Sequence, residues 1–523
     1  MRDNNELNLA NFKPISRRTA VMASERSDSL NHFYPYDYYY HLSSVGQYNL
    51  RSLLLNSREW VQSSREGFRS RKPLWNVFYK DKANFFAVEE KDFFLAINPV
   101  VQQQQSIESA AGDRVFLNAK GITVRGLVAR KVGFDIYVTD NQERGPEFFR
   151  ERIVRDDAVP GAGFYKPFKS TAVDYFDARG SIYFNAGKYF NFQLGYDKNF
   201  IGNGYRSLFL SDFGNSYPFL KISTRIWKIT YTNLFMELVP QTVNVSAGNK
   251  ILEKKYAATH HLSINATEWL NLGFFEAVIF GRKNHFEFSY LNPVIFLRAA
   301  EQQNGSADNA LVGFDFKANA GHQGQIYGQL LLDEFVLKEI RARKGWWGNK
   351  FGLQLGAKYI DAFELKNLDL QGEINLVRPF TYSHFDSTSN YTHYNQPLAH
   401  PFGANFVETI GIIRYQPLPR WSWQLKAILW RQGIDSVNSN FGSDIFKLNA
   451  TRSHGDYGYK MLDGIKASGL NLSTLVSYEW KENLFVVASI MYRHWKPQGL
   501  NAENTVMLTL GLRLNMFRRE YDY

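Results

Sequence analysis

Apolar and polar residues alternate strictly near the end of the sequence, in the stretch VMLTLGLRLNMF at 506–517. The apolar face comprises Val506, Leu508, Leu510, Leu512, Leu514 and Met516. Thr509, Arg513 and Asn515 fall on the opposite face, so the period is two, as in a β-strand. Strands of soluble proteins average about 5–6 residues, whereas a tilted strand that crosses a membrane needs about 9–11. The length of this pattern predicts a membrane-spanning strand.

The same alternation recurs along the chain, at 190–197, 351–359, 421–429 and 470–480. In each stretch, large apolar residues occupy one face, and the other carries mainly Gln, Lys, Asn, Asp, Glu, Ser or Gly. A barrel wall in a bilayer needs this division, because its outer side meets lipid and its interior can hold polar groups. The repeated pattern predicts many strands of one barrel.

The connections between the predicted strands fall into two classes. Short turns that lead at once into an aromatic residue occur at 185–192, 265–272, 417–425 and 478–486. Long polar connections occur at about 141–175, 283–310, 377–404 and 431–468. Outer-membrane barrels have short periplasmic turns, long extracellular loops and aromatic girdles at the membrane interfaces. In PFLKISTRIWKITYTNLF (218–235), the apolar phase switches between Ile226 and Trp227, which predicts a bulge or a tight turn.

We count roughly 16–18 strands from residue 74 onward, which suits one large barrel. The predicted fold class is all-β: a transmembrane antiparallel β-barrel of about 18 strands, with short periplasmic turns and long extracellular loops. We divide the chain into an N-terminal periplasmic or plug-like segment, 1–72, and the outer-membrane barrel, 73–523.

The N-terminal segment is polar but contains QYNLRSLLLNSREWVQSSRE at 47–66. Leu50, Leu53, Leu54 and Trp60 can share one face of a helix there. This pattern predicts a short helix at or inside the periplasmic mouth of the barrel, with a flexible segment as the alternative. The first residues, MRDNNELNLANFKP, lack the basic and apolar regions of a signal peptide. Since the barrel pattern predicts the outer membrane, we expect an apolar signal region to be encoded upstream.

Composition agrees with a barrel. Aromatic residues make up 16% of the 523 residues although mean hydropathy is −0.35, and no apolar run reaches the length of a transmembrane helix. The absence of cysteine excludes disulfides and thiolate metal sites. The net charge of +11 is scattered, with short clusters such as Arg341-Ala342-Arg343-Lys344, and this scatter argues against nucleic acid as a partner.

Four features could carry chemistry. The run FYPYDYYY (33–40) could stack on sugar rings, or its tyrosines could serve in packing. The loop 377–404 carries His384, Asp386, His393 and His400, but their spacing matches no common metal motif, and a solvated loop is the default expectation. Adjacent carboxylates occur at Glu89-Glu90, Asp156-Asp157 and Asp333-Glu334, but neighbours on a strand face opposite ways and cannot pair as glycosidase acids.

The fourth feature is Gly202-Asn203-Gly204-Tyr205-Arg206-Ser207, one glycine short of the phosphate-binding pattern G-x-G-x-x-G. A phosphate loop needs a helix directly after the glycines, but Gly214 and Pro218 leave no room for one. We therefore expect Gly202 and Gly204 to allow a tight bend or close backbone packing. The sequence predicts no enzyme, no catalytic, cofactor-binding or metal residue and no cofactor; ligand-binding residues cannot be assigned.

The stretch GYDKNFIGNGYRSLFLSDFGNSYPFLKIST (195–224) resembles a segment of Wzi-like capsule-assembly barrels. The shared elements are the glycine turn, the run Ser207-Leu208-Phe209-Leu210-Ser211-Asp212, and Pro218 before an apolar strand; FFLAINPVV (93–101) is also similar. Among such proteins, the chain most resembles the RemB-type gliding-motility proteins of bacteria with type 9 secretion. The resemblance implies an 18-stranded outer-membrane barrel with N-terminal helices near its periplasmic end.

Three functions stay open at this point. The first is a non-enzymatic accessory component of the gliding-motility or type 9 secretion machinery, which acts through contacts with other envelope proteins. The second is a Wzi-like lectin that anchors capsular or other surface polysaccharide. The third is an outer-membrane diffusion channel. In each case the expected surroundings are outer-membrane lipid and lipopolysaccharide.

Overall fold

The computed structural model describes residues 7, 11–33, 41–63, 65, 67–109, 114–242, 251–283, 285–294 and 296–523. Eighteen long strands form one closed antiparallel barrel. They are β1 Phe93–Glu108, β2 Val115–Val128, β3 Val132–Arg144, β4 Ala172–Ala186, β5 Phe190–Asp197, β6 Tyr217–Ile226, β7 Ile229–Leu238, β8 Lys255–Asn265, β9 Leu270–Phe280, β10 Asn309–Ala320, β11 Gly324–Glu334, β12 Lys350–Tyr359, β13 Leu368–Val377, β14 Phe406–Leu418, β15 Trp421–Ile434, β16 Ile465–Lys481, β17 Leu484–Pro497 and β18 Glu503–Leu514.

Each strand pairs with the next in the sequence, and β18 closes the barrel against β1. The closing register runs from Met507 opposite Glu108 to Leu514 opposite Val101. Closure leaves no open sheet edge, so every backbone group of the wall can be paired without water, as a bilayer requires. The predicted fold class is confirmed.

The two faces of the wall differ as the alternation predicts. On β18, Leu508 and Leu510 are 49% and 64% exposed on the outer side, while Thr509 between them is 9% exposed on the inner side. On β12, Leu353 and Leu355 face outward and Gln354 is buried inside. On these strands the outer face is thus apolar and the inner face polar, which is the division that an outer-membrane barrel shows.

The connections alternate in length around the barrel. Short turns such as 187–189, 266–269, 419–420 and 482–483 lie at one end, which we call the short-turn end. The connections 145–171, 198–216, 281–308, 378–405 and 435–464 lie at the other, the long-loop end. The predicted asymmetry is confirmed, and by analogy with such barrels the short-turn end is periplasmic. The phase switch in 218–235 is a tight turn at Trp227, whose φ is 53°.

Among the described residues, two α-helices precede the barrel: α1, Arg17–Phe33, and α2, Ser44–Asn56. Tyr48 and Asn49 of α2 hydrogen-bond to Glu479 and Gln416, close to the short turns. Leu54, with Val21 of α1, lies in a small apolar cluster that Leu50, Leu53 and Trp60 flank. The predicted helix is therefore present, and it lies at the short-turn mouth.

The remaining elements are short. The helices are α3 Glu147–Asp156, α4 Leu297–Gln303 and α5 Leu337–Ala342, with 3₁₀ turns at Arg58–Trp60, Phe288–Leu291, Ala362–Glu364, Ser387–Ser389 and Asn449–Thr451. Further short strands are Phe12–Lys13, Phe86–Glu90, Lys166–Phe168, Phe200–Ile201, Thr392–His393 and Gln396–Pro397. Among the described residues, no helix combines the length and the apolar character that crossing a membrane requires.

Candidate functional site

Two of the long loops, 198–216 and 378–405, fold into the barrel instead of extending from it. Phe209 stacks flat on Phe275 of the wall, with ring centroids 4.5 Å apart. The hydroxyl of Tyr391 donates to the carbonyl of Phe209 (2.6 Å), and the hydroxyl of Tyr382 donates to the carbonyl of Leu208 (2.8 Å). The two loops therefore pack on each other inside the lumen.

The wall satisfies the backbone of loop 198–216 with its own side chains. The Glu373 carboxylate accepts from the N–H groups of Tyr205 (2.7 Å) and Arg206 (3.0 Å). Gln329 accepts from the N–H of Leu208 (2.8 Å) and donates to the carbonyl of Ile201 (3.0 Å). A buried loop would otherwise carry unpaired polar groups, so these wall residues are what allows the loop to lie inside.

The glycines of this loop have the role that the sequence predicts. Gly202 has a φ of +137°, and a Cβ there would lie 2.5 Å from Gln329 Nε2. A Cβ on Gly204 would lie 2.6 Å from a carboxylate oxygen of Glu373. Both positions need glycine because the backbone approaches the wall side chains closely. No helix follows the glycines in 201–216, so this loop does not form a phosphate-binding turn.

A buried ionic cluster joins loop 198–216 to the wall and to the last residues of the chain. The guanidinium of Arg206 lies 3.4 Å from Glu408 and 3.7 Å from Asp522. His400 Nε2 lies 2.7 Å from the other oxygen of Glu408. Burial opposes the charge on Arg206, but the carboxylates of Asp522 and Glu408 outweigh it and raise the pKa of Arg206. The cluster therefore stays ionised and holds the loop in place.

After β18, residues 515–523 turn back into the lumen, which no sequence pattern indicated. The hydroxyl of Tyr521 donates to Glu143 (2.6 Å), and Arg519 pairs with the same carboxylate at 3.2 Å. Lys426 on the wall pairs with Asp522 at 2.8 Å. Burial opposes the charge on Asp522, but Lys426 and Arg206 outweigh it and hold the pKa of Asp522 well below its ordinary value. The tail is thus a third segment that fills the lumen.

The histidine-bearing loop is largely buried, contrary to the expectation from sequence, and of the four residues named there Asp386 alone is exposed. His393 is buried: its Nδ1 accepts from the N–H of Val239 (3.0 Å), and its Nε2–H donates to the carbonyl of Ser216 (3.1 Å). Burial lowers the pKa of His393 to about 3, so the imidazole is neutral and joins three loops. Burial also lowers the pKa of His384 to about 4. In the part of the chain that the structure describes, no three His, Cys, Asp or Glu side chains are grouped to hold a metal ion.

The three pairs of adjacent carboxylates lie far from one another, and at least one acid of each pair has a cationic or backbone partner. Glu89, in the short strand Phe86–Glu90, pairs with Arg58 and Arg65. Asp156, at the end of α3, pairs with Arg152 at 3.1 Å. Asp333 accepts from the N–H of Tyr382 (2.6 Å). None of these sites places two acids across an open cleft.

The described part of the long-loop end carries an aromatic and basic surface, formed where loops 335–349 and 435–464 meet. The N–H of Trp347 donates to the carbonyl of Asp456 (3.0 Å), and the N–H of Tyr459 donates to the carbonyl of Gly345 (3.0 Å). The N–H of Gly458 donates to the carbonyl of Lys344 (2.9 Å). We call the joined segments 339–347 and 452–460 the two-loop platform.

The two-loop platform combines exposed cations with an accessible ring. The guanidinium of Arg452 covers the ring of Trp347, 4.2 Å from its centroid, and pairs with Asp456 at 2.7 Å. Tyr457 is half exposed and leaves its ring open to a ligand. Arg341, Arg343 and Lys344 are exposed beside them. Flat rings can stack on the C–H faces of sugars, and arginine and lysine can pair with acidic groups. The basic cluster is visible in the sequence. Its contact with segment 452–460 is not, because no local pattern indicates which distant loop it meets.

The tyrosine-rich run at 34–40 lies outside the described residues, so its two interpretations both stay open. Phe33, the last residue of α1, is exposed at the short-turn side of the molecule. Within the described residues, the two-loop platform is therefore our candidate surface for binding a sugar.

Several solved structures are similar to this chain. Wzi, an outer-membrane protein involved in group 1 capsule assembly in Escherichia coli and a carbohydrate-binding β-barrel, is similar over 80% of this chain and 84% of its own, with 13% identity and a TM-score of 0.50. OprD of Pseudomonas aeruginosa matches 80% of this chain and 95% of its own, with 11% identity and a TM-score of 0.42. OccAB4 of Acinetobacter baumannii matches 81% and 98%, with 8% identity and a TM-score of 0.43.

No protein-family model and no curated protein sequence matches the chain. At 13% identity, the similarity to Wzi concerns the fold alone. The resemblance to a Wzi-like barrel in the sequence is confirmed at that level, and the narrower resemblance to RemB-type proteins stays a prediction. The chain is an outer-membrane β-barrel whose fold is similar to that of Wzi.

Proposed function

We propose that this protein is a non-enzymatic surface-binding barrel that holds an acidic polysaccharide at the long-loop end. The observation that carries the proposal is the two-loop platform, where exposed cations and aromatic rings stand together at the end that faces outward. Wzi, a carbohydrate-binding barrel of similar fold, supports the proposal.

The filled lumen supports a binding role over a channel. Loop 198–216, loop 378–405 and the tail 515–523 all lie inside the wall, tied to it by buried hydrogen bonds and ion pairs. Barrels of this size that conduct keep an aqueous path through the lumen. Here the barrel instead provides a stable support for the surface above it.

The charge of the two-loop platform selects the ligand class. Segments 339–347 and 452–460 contain five basic residues (Arg341, Arg343, Lys344, Arg452 and Lys460) and two acidic ones (Glu339 and Asp456). A positive surface concentrates polyanions and repels cations, more strongly at low salt. A polysaccharide that contains uronic acid or another acidic sugar therefore fits better than a neutral one.

The triple variant Arg341→Ala/Arg343→Ala/Lys344→Ala tests the platform. We expect its affinity for a uronic-acid polysaccharide to fall about tenfold or more, because three charge-assisted contacts are lost. Binding is measured by biolayer interferometry on the detergent-solubilised protein, with neutral dextran as the comparison ligand. The matched control is Lys131→Ala/Lys188→Ala/Lys481→Ala, which removes the same charge from the short-turn end. Equal weakening in both triple variants, or equal binding of dextran, would refute the platform as the site.

A second candidate function, contact with other envelope proteins of a gliding-motility or type 9 secretion complex, is favoured by a different surface. In the connection between β9 and β10, Phe288 and Val294 are 84% and 83% exposed, and Phe296 is largely exposed beside them. Several exposed apolar side chains close together are typical of a surface that contacts another protein or the membrane. Purification from native membranes under gentle detergent checks this candidate: co-purifying envelope proteins would support it, and recovery of the barrel alone would count against it.

We also propose that residues 1–72 act as a periplasmic segment at the barrel mouth and that 73–523 form the functional barrel. The contacts of α2 with Glu479 and Gln416 near the short turns support this division. Asn56 and Asn483 also exchange side-chain hydrogen bonds there, at 2.7 and 3.1 Å.

A further inference from the structure

The segments that fill the lumen leave a large cavity, with a volume of about 840 Å³. Ile360 and Leu370 line it near the short-turn end, and Pro160 and Ala162 of loop 145–171 line it at the opposite side. Phe517, in the returning tail, forms part of the wall. The cavity thus lies within the barrel and extends toward the periplasmic mouth, away from the two-loop platform.

Three lysines that line this cavity have no ion-pair partner among the described residues. Lys198 donates to the carbonyl of Gly161 (2.7 Å), and Lys358 donates to the carbonyl of Asn203 (2.7 Å). The ammonium group of Lys13 lies over the ring of Phe200, 4.4 Å from its centroid. Carbonyl and ring contacts stabilise an ammonium group but do not neutralise its charge.

Further groups in the cavity also indicate positive charge that has no partner. Burial lowers the pKa of Lys198 to about 7, with Arg179 adding to the effect and Asp177 and Asp212 opposing it. Burial also lowers the pKa of Lys13. Arg519 has a buried Nη2 without a hydrogen-bond partner, although its Nε pairs with Glu143. These groups hold positive charge at a cost that a bound anion would relieve.

The acidic groups of the cavity are mostly engaged elsewhere. Asp177 pairs with Arg179 at 2.7 Å, and Asp522 pairs with Lys426 at 2.8 Å. Asp197 lies 3.9 Å from Arg179, and Glu520 pairs with Lys426. Among the described residues, Asp212 and Asp369 have no cation within ion-pair distance, whereas four lining cations have no carboxylate within that distance: Lys13, Lys198, Lys358 and Arg414. The unpaired charge of the lining is therefore positive.

We propose that this cavity binds a soluble phosphorylated sugar that enters from the periplasmic end. Lysine ammonium groups recognise phosphate as point charges, and Tyr137, Phe213 and Phe517 supply rings for the sugar. A volume of about 840 Å³ falls in the range of roughly 300–1,000 Å³ that small-molecule sites occupy. The barrel wall separates the cavity from the bilayer, so a lipid headgroup cannot reach it. This site is independent of the polysaccharide platform.

Isothermal titration calorimetry on the full chain in detergent tests the site, with glucose 6-phosphate, inorganic phosphate and glucose as probes. We expect both phosphates to bind and glucose not to bind. Lys13→Met/Lys198→Met removes two charges but keeps most of the side-chain volume, and it should weaken both phosphates at least about tenfold. Lys198→Arg keeps the charge and should retain binding, which separates loss of charge from misfolding.

The control variant is Lys255→Met. Lys255 is another buried lysine inside the barrel; it donates to the carbonyl of Asn390 (2.9 Å) and to Thr392 Oγ1 (3.1 Å) and does not line the cavity. This variant should bind the phosphates as the unaltered protein does. The proposal is overturned if neither phosphate binds at millimolar concentration, if glucose binds equally well, or if Lys255→Met weakens binding as much as the double variant.

Discussion

Replacement of Glu408 by glutamine is expected to lower the free energy of unfolding by about 3 kcal/mol. Glu408 is fully buried, and its carboxylate serves Arg206 at 3.4 Å, His400 at 2.7 Å and Asn375 at 2.9 Å. Glutamine keeps the shape of the side chain but removes its charge. Its NH₂ group would also lie against hydrogen-bond donors that the carboxylate had accepted from. Among the described residues, Asp522 is then the carboxylate that still forms an ion pair with the Arg206 guanidinium, at 3.7 Å. The estimate lies at the low end for a broken buried pair because that second carboxylate remains.

Urea-induced unfolding in detergent micelles, followed by tryptophan fluorescence, measures this effect. Glu503→Gln is the matched control, because Glu503 is exposed at the start of β18 and its replacement should change stability by less than about 0.5 kcal/mol. If Glu408→Gln unfolds at the same urea concentration as the unaltered protein, the buried cluster does not hold the lumenal segments in place.

The barrel wall was predictable because every second residue of a membrane-spanning strand faces lipid and must be apolar. Leu508 and Leu510 must be apolar whatever lies opposite them, so the alternation is visible in the sequence alone. The tight turn at Trp227 was visible for the same reason, since a turn reverses the phase of the pattern. Helix α2 could be recognised from the spacing of Leu50, Leu53 and Leu54.

The contents of the lumen could not be predicted in this way. Arg206 meets Glu408 across 202 positions of sequence and meets the backbone of Asp522 across 316. The sequence of a polar loop does not show whether the loop folds inward or is solvated. The wall side chains that hydrogen-bond to an inward loop belong to strands that are distant in the sequence. This is why the loop with His384, His393 and His400 was expected in solvent and is found buried. The two-loop platform was missed for the same reason.

Removal of both inward loops is expected to turn a closed barrel into a conducting one. The variant replaces 198–216 and 378–405 with short glycine-serine turns. The register makes both turns feasible, since Asp197 pairs directly with Tyr217 and Val377 pairs directly with Phe406. Barrels of this strand number enclose an aqueous path when nothing fills them. Planar-bilayer recordings should show steady single-channel steps for the variant and none for the unaltered protein.

Removal of one inward loop shows how far the two loops depend on each other for closure of the lumen. Removal of 198–216 alone takes away the carbonyls of Leu208 and Phe209 that hold Tyr382 and Tyr391, so loop 378–405 should loosen and give brief, irregular openings. The control replaces the exposed tip 302–307, outside the lumen, with glycine and serine in equal number, and it should stay closed. A silent double-loop variant that still migrates as a folded barrel would mean that the tail 515–523 and the N-terminal residues seal the lumen by themselves. Steady conductance in the unaltered protein would contradict the binding role more directly, because an open path would then coexist with the loops in place.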